Sequence, residues 1–124
     1  MEKLVIQGKL PGMNEIIKAD RANRFKGGEM KNTYTQLVKI EAIKQCCQKF
    51  ADKVYIMINY YEPDNRRDDD NVHAGAKFIL DGLKAAGIII DDRRKYVALK
   101  QNPVIVDSKN PRIEVFIEEF IKEK

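Results

Sequence analysis

Polar and apolar residues alternate over residues 3–7, and Gly8, Pro11 and Gly12 then interrupt the pattern, which predicts a short first strand. The next stretch, residues 15–30, has little periodicity. It carries Lys18, Arg21, Arg24 and Lys26 beside Gly27 and Gly28, and reads as a long, basic, flexible loop. Loops of that length are uncommon in compact domains and usually functional. A helix follows, capped by Asn32 or Thr33 and running to about Phe50, because Tyr34, Leu37, Val38, Ile40, Ile43, Cys47 and Phe50 form a broad core-facing stripe. Residues 54–61 alternate again, with Val54, Ile56, Ile58 and Tyr60 on one face and Tyr55, Met57, Asn59 and Tyr61 on the other. Glu62-Pro63-Asp64-Asn65 closes that strand in a turn.

Val72, Ala76, Ile79, Leu80 and Leu83 mark a second helix over residues 71–86, capped by Asp70 or Asn71 and stopped by Gly87. The run Ile88-Ile89-Ile90 predicts a buried extended piece. Residues 96–101 and 112–118 predict two more strands, the last preceded by the turn Asp107-Ser108-Lys109-Asn110-Pro111. There is no repeat and no linker. The pattern predicts one compact α+β domain, a mixed β-sheet packed with two main helices.

Composition narrows the class. The 124 residues carry 23 Lys+Arg against 19 Asp+Glu, a net charge of +4, with 44% apolar residues. That length and balance support a buried core and exclude a disordered chain. No apolar stretch approaches the roughly 20 residues that cross a bilayer, and Met1-Glu2-Lys3-Leu4 lacks the regions of a signal peptide. The expected location is the cytoplasm, away from membranes. Adjacent helical residues point about 100° apart, so Cys46 and Cys47 are expected as two reduced thiols packed as small hydrophobes. One histidine and that cysteine pair have no zinc-binding spacing. A net +4 is compatible with nucleic acid but too mild to single it out.

The densest chemistry is Arg66-Arg67-Asp68-Asp69-Asp70-Asn71, followed by Asp91-Asp92 after the second helix. Three consecutive carboxylates repel one another and call for a counter-charge, from Arg66 and Arg67 or from a divalent metal. Oxygen ligands without His or Cys suit Mg²⁺, with Mn²⁺ as a substitute. In an extended approach to the helix, Asp68 and Asp70 project to one side while Asp69 points away. The helix start favours a phosphate at the same place. Sixteen helical residues span roughly 24 Å, so Asp92 joins the pair only where the sheet returns it. Lys77 is the candidate cation, on one helix flank with His73 and Lys84, set either to neutralise a phosphate oxygen or leaving group or to pair with Asp81. His73 reads as solvated. An Asp-rich cap and an ordinary charged turn account for each acidic half alone. Two acidic clusters, each flanked by arginines, fit a metal-dependent site acting on a phosphodiester.

The string Arg66-Arg67-Asp68-x-Asp70-Asn71, then Lys77, Leu80-Asp81-Gly82-Leu83 and Ala86-Gly87-Ile88-Ile89-Ile90-Asp91-Asp92, resembles the RusA family of Holliday-junction resolvases. A weaker likeness lies at Leu10-Pro11-x-x-Asn14, where family members carry a proline-asparagine loop. The resemblance implies a RusA-like fold, a homodimer of a kind common in phages and prophages, and Mg²⁺-dependent cutting of four-way junction DNA. It makes Asp68, Asp70 and Asp92 the catalytic, metal-binding carboxylates, Asp91 an accessory metal ligand and Lys77 the catalytic lysine. The family lysine stands three residues after the asparagine, where this chain has Ala74; Lys77 keeps the family spacing to Asp81 instead. Arg21, Arg24 and Lys26, with Arg66, Arg67, Arg93, Arg94 and Asn14, become DNA contacts, and Phe25 either stacks at the crossover or packs on the domain. A two-fold dimer presents two identical sites, which suits paired symmetric nicks in recombination and repair. The alternatives are a branched-DNA-binding protein of the same fold without nuclease activity and a nuclease for other branched DNA.

Overall fold

The computed structural model of the chain describes residues 1–46 and 48–121. In chain order the elements are β1 (Glu2–Gln7), α1 (Met13–Ala22), α2 (Arg24–Gln45), β2 (Val54–Glu62), α3 (Asp69–His73), α4 (Ala76–Ala85), β3 (Val97–Gln101), β4 (Ile105–Val106) and β5 (Arg112–Glu119). The strict alternation of β2 buries Val54, Ile56, Ile58 and Tyr60 and leaves Tyr55, Met57, Asn59 and Tyr61 half-buried on the opposite face. β2 lies between β5, antiparallel to it, and β3, parallel to it; β1 pairs antiparallel with β5 at the far edge, and β4 continues beside the end of β2. The sheet is therefore mixed. A parallel neighbour needs a crossover, and α3 with α4 supplies it between β2 and β3. Val38 and Ala42 of α2, Val72 of α3, and Phe78, Ile79 and Leu83 of α4 pack with the buried strand face into one core. The described residues form a single compact α+β domain, and no helix is long and apolar enough to cross a membrane.

Residues 15–30 are helical apart from the extended Asn23 between α1 and α2, which corrects the expected loop. α1 buries no residue fully, and its partly buried Ile16 packs, like Met30 of α2, at the edge of the core. The two helices lie against each other, so little of this stretch carries a core-facing apolar pattern. Asn23, not Asn32 or Thr33, caps α2: its side chain accepts from the Lys26 N–H at 2.8 Å. α2 also ends earlier than expected, at Gln45, where Cys46 turns extended. Phe50 is buried beyond the helix, its N–H donating to the Ile88 carbonyl. Of the expected stripe, Val38 is buried, whereas Leu37, Ile40 and Ile43 are 42%, 51% and 58% exposed. Cys46 is buried, and Cys47 lies outside the described residues.

The second expected helix is two, α3 and α4, joined through Ala74 and Gly75 by tighter i→i+3 bonds. Ile88 and Ile89 are buried as expected but form bends rather than strand, and Ile90 is 45% exposed. The short strand β4 carries too little pattern to be foreseen.

Candidate metal and nucleic-acid site

The acidic run is sorted by its first helical turn. Asp68 is the N-cap of α3, yet its side chain makes no capping bond; its backbone carbonyl alone accepts from the Val72 N–H. Asp69 turns the other way and accepts from the Val104 N–H at 3.1 Å, tying the helix start to the segment before β4. Among the described residues, neither the Asp68 nor the Asp70 carboxylate has a hydrogen-bond or ion-pair partner. Both face one pocket of about 260 Å³ with Met13, Asn14, Arg66 and Asn71. The alternate pair is thus free and co-facing, and the middle carboxylate is structural.

The residues around the pair are fixed by the fold. Gly12 caps α1 without a side chain, so Asn71 Oδ1 supplies the missing acceptor to the Asn14 N–H at 3.0 Å. A Cβ on Gly12 would stand 2.5 Å from that oxygen and 2.9 Å from Arg67 Nη1, so only glycine admits both groups. Arg67 is committed to the interior: Nε and Nη2 donate to both oxygens of the buried Glu62, and Nη1 to the Leu10 carbonyl and Glu15. Those bonds hold the guanidinium in its charged form, raising its pKa further, first through Glu62. Four of its five N–H donors are thus held inside the fold, which places Arg67, expected as a DNA contact, in a structural ion pair instead of on the open surface.

Basic residues line the approach. Asn14 is shared with a second surface pocket made by Ile17, Lys18 and Arg21, so α1 carries a cationic row away from Asp68 and Asp70. Arg24 and Lys26 are exposed at the start of α2, and Phe25 between them is 79% exposed rather than packed on the domain. Arg66 is exposed and pairs loosely with Asp64 at 3.7 Å.

The second acidic group sits elsewhere. Asp91 accepts from Lys84 at 3.0 Å, from Arg93 and from the Asp92 N–H, and the Lys84 ammonium holds its carboxyl far below the usual carboxylate range. Lys84 lies in the last turn of α4, while Asp68 and Asp70 lie at the start of α3. The ten residues of α4 alone span roughly 15 Å. The expected union of Asp68 and Asp70 with Asp91 and Asp92 is therefore not made, and among the described residues no group of three or more His, Cys, Asp or Glu side chains is placed to hold a metal ion. Lys77 is exposed beside Asp20, Met30 and Phe78 and does not pair with Asp81, which Lys31 of α2 approaches instead at 4.0 Å. Arg94 is exposed on the surface after Asp92.

His73 is not simply solvated. Its Nε2 donates to the Asn102 carbonyl at 2.9 Å and its ring lies 5.1 Å from that of Tyr60, fixing α3 to the end of β3. A lone histidine with a backbone partner leaves no trace in sequence spacing. No protein-family model and no curated protein matches the chain.

Proposed function

We propose that the chain is a RusA-like, structure-selective, Mg²⁺-dependent endodeoxyribonuclease that cuts four-way DNA junctions by paired symmetric nicks, acting as a homodimer. The observation that carries this reading is the free, co-facing pair Asp68 and Asp70 beside a cationic row on α1. The donor set fits the metal: Mg²⁺ is commonly held by one or two carboxylates, with water and substrate phosphate completing its shell. Asp68 and Asp70 would hold it, and once bound it supplies charge stabilisation at a phosphodiester and an activated water. Lys18, Arg21, Arg24 and Lys26 hold the DNA backbone and set its orientation without reading sequence. Arg66, in the pocket itself, neutralises the phosphate nearest the carboxylates. Asn14, bonded through its backbone to Asn71, keeps α1 in register with α3 and so keeps cations and carboxylates together.

The test is a synthetic four-way junction incubated with and without Mg²⁺, for wild type and Asp70→Asn. The expected result is paired nicks that vanish without metal and in the variant, with junction binding kept or strengthened as one repulsive charge is lost. Binding without cutting by wild type would favour a non-catalytic junction-binding protein, and equal cutting of linear duplex would remove the selectivity for branched DNA.

A further inference from the structure

A sheet has two faces, and the helices cover only one of them. Val38 and Ala42 of α2 and Phe78, Ile79 and Leu83 of α4 pack with the buried strand residues, and no described helix lies on the opposite face. There the strand registers set Val5 of β1, Phe116 of β5 and Tyr55, Met57 and Tyr61 of β2 side by side, all half-buried. Ile105 of β4 stands beside Tyr61 and is 52% exposed. An apolar sheet face is normally buried against a further layer, and this chain supplies none among the described residues.

The charges on this face choose between a polyanion and a protein. Lys3 Nζ stands 3.6 Å from Glu114 and 5.5 Å above the Phe116 ring. Arg112 bonds Asp107 at 2.9 Å and Glu114 at 3.2 Å and lies 3.9 Å over the Tyr61 ring. Its positive charge is therefore answered by carboxylates of the same chain. The Glu118 carboxylate, exposed at the other end of β5, has no partner among the described residues and adds negative charge. Nucleic acid is poorly served by such a face. Tyr, Phe, Met and Arg beside neutralised charge are the residues in which protein interfaces are enriched.

The face also complements itself. Arg112 and Glu118 project from opposite ends of one face of β5, and Arg112 Nη2 makes no bond within the chain. A two-fold axis between two such faces, at right angles to β5 and over Val115, sets Arg112 against the partner's Glu118 twice and Tyr61 against the partner's Tyr55. An axis along the strands instead sets Lys3 against the partner's Lys100, like charge on like. The size suffices. Four strands at about 4.8 Å spacing and the nine residues of β2 at about 3.3 Å each give roughly 570 Å² of face, or about 1,100 Å² over two copies, above the roughly 1,000 Å² of a specific interface.

We propose that the open sheet face docks a second copy of this chain, β5 running antiparallel across the partner's β5. This rests on the reading that the protein acts as a homodimer and names its interface. The helices lie on the other side of the sheet, so the cationic row of α1 stays free in both copies.

The experiment is molar mass by light scattering across micromolar concentrations for wild type, Phe116→Glu, Glu118→Arg and Ile40→Glu, with circular dichroism for the fold and junction cutting in Mg²⁺ in parallel. Ile40 is 51% exposed on α2 and marks the rival apolar surface. Wild type is expected at twice the chain mass and Phe116→Glu at the mass of one chain. Glu118→Arg, at an exposed position that folding does not depend on, is expected to weaken dimerisation about tenfold or more, and Ile40→Glu to leave it unchanged. A dimer that ignores both sheet substitutions, or one lost in folded Ile40→Glu, overturns the inference. Wild type at the mass of one chain overturns it together with the homodimer. Cutting by a dimer that ignores the sheet substitutions sinks this interface alone, whereas a dimer through this face that leaves junctions uncut sinks the nuclease reading and keeps the interface.

Discussion

Arg67 and Glu62 form a two-pronged ion pair almost out of solvent, with Nε and Nη2 at 2.8 and 2.9 Å from the two carboxylate oxygens and side chains 12% and 4% exposed. Removing one partner strands the other charge in the interior. Arg67→Ala is expected to lower unfolding stability by about 3–5 kcal/mol in urea titrations, while the folded protein keeps most of its junction affinity, because four of the five Arg67 donors are held inside the fold.

The α2–α4 contact depends on a missing side chain. A Cβ at Gly82 would stand 2.5 Å from Val38 Cβ and 3.1 Å from the Lys39 backbone nitrogen. Gly82→Ala must push the helices apart, and we expect a loss of about 1–3 kcal/mol by thermal or urea unfolding despite the higher helix propensity of alanine.

Asp91 gives an acid-range signature. Its carboxyl ionises well below the ordinary value of 3.8 because Lys84 donates to it, so the folded state holds a proton there less readily than the unfolded chain. The stabilisation is fully present above pH 3.8 and is lost as pH falls below that value toward the folded-state pKa. Urea midpoints of wild type and Asp91→Asn should differ most at pH 6 and converge as pH drops below 3.8. A difference that widens in acid would contradict the pairing with Lys84.

Much of the sheet was legible in sequence, because β2 and β5 alternate strictly and one face of each is buried. The helices were less so. α1 and the start of α2 pack on each other at the rim of the core, and Gly27 and Gly28, which read as breakers, lie inside α2, Gly27 where Asp20 of α1 approaches. The distinction of Asp68 and Asp70 from Asp69 followed from an extended approach to a helix; only Asp68 is extended, whereas Asp69 and Asp70 already stand in the first turn of α3. What sequence spacing could not supply was tertiary placement. Nothing in the run Asp91-Asp92 says that α4 holds it away from Asp68, and nothing near Arg67 says that Glu62 is buried within its reach.

The cationic approach is expected to show itself in salt dependence. Arg21→Ala and Arg24→Ala should each weaken junction binding for all sequences alike and lower the slope of log affinity against log salt by about one. Unchanged slopes for both variants would remove the start of α2 and the end of α1 from the DNA surface.

The most direct measurement is the single-turnover rate of junction cutting in Mg²⁺ for Asp68→Asn, Asp69→Asn and Asp70→Asn side by side. Loss of about 100-fold or more at positions 68 and 70, with Asp69→Asn within a few-fold of wild type, is the expected pattern, because an amide at position 69 still accepts from the Val104 N–H. Cutting at the wild-type rate by Asp68→Asn and Asp70→Asn, or equal loss at all three positions, would contradict a metal site built on the alternate pair.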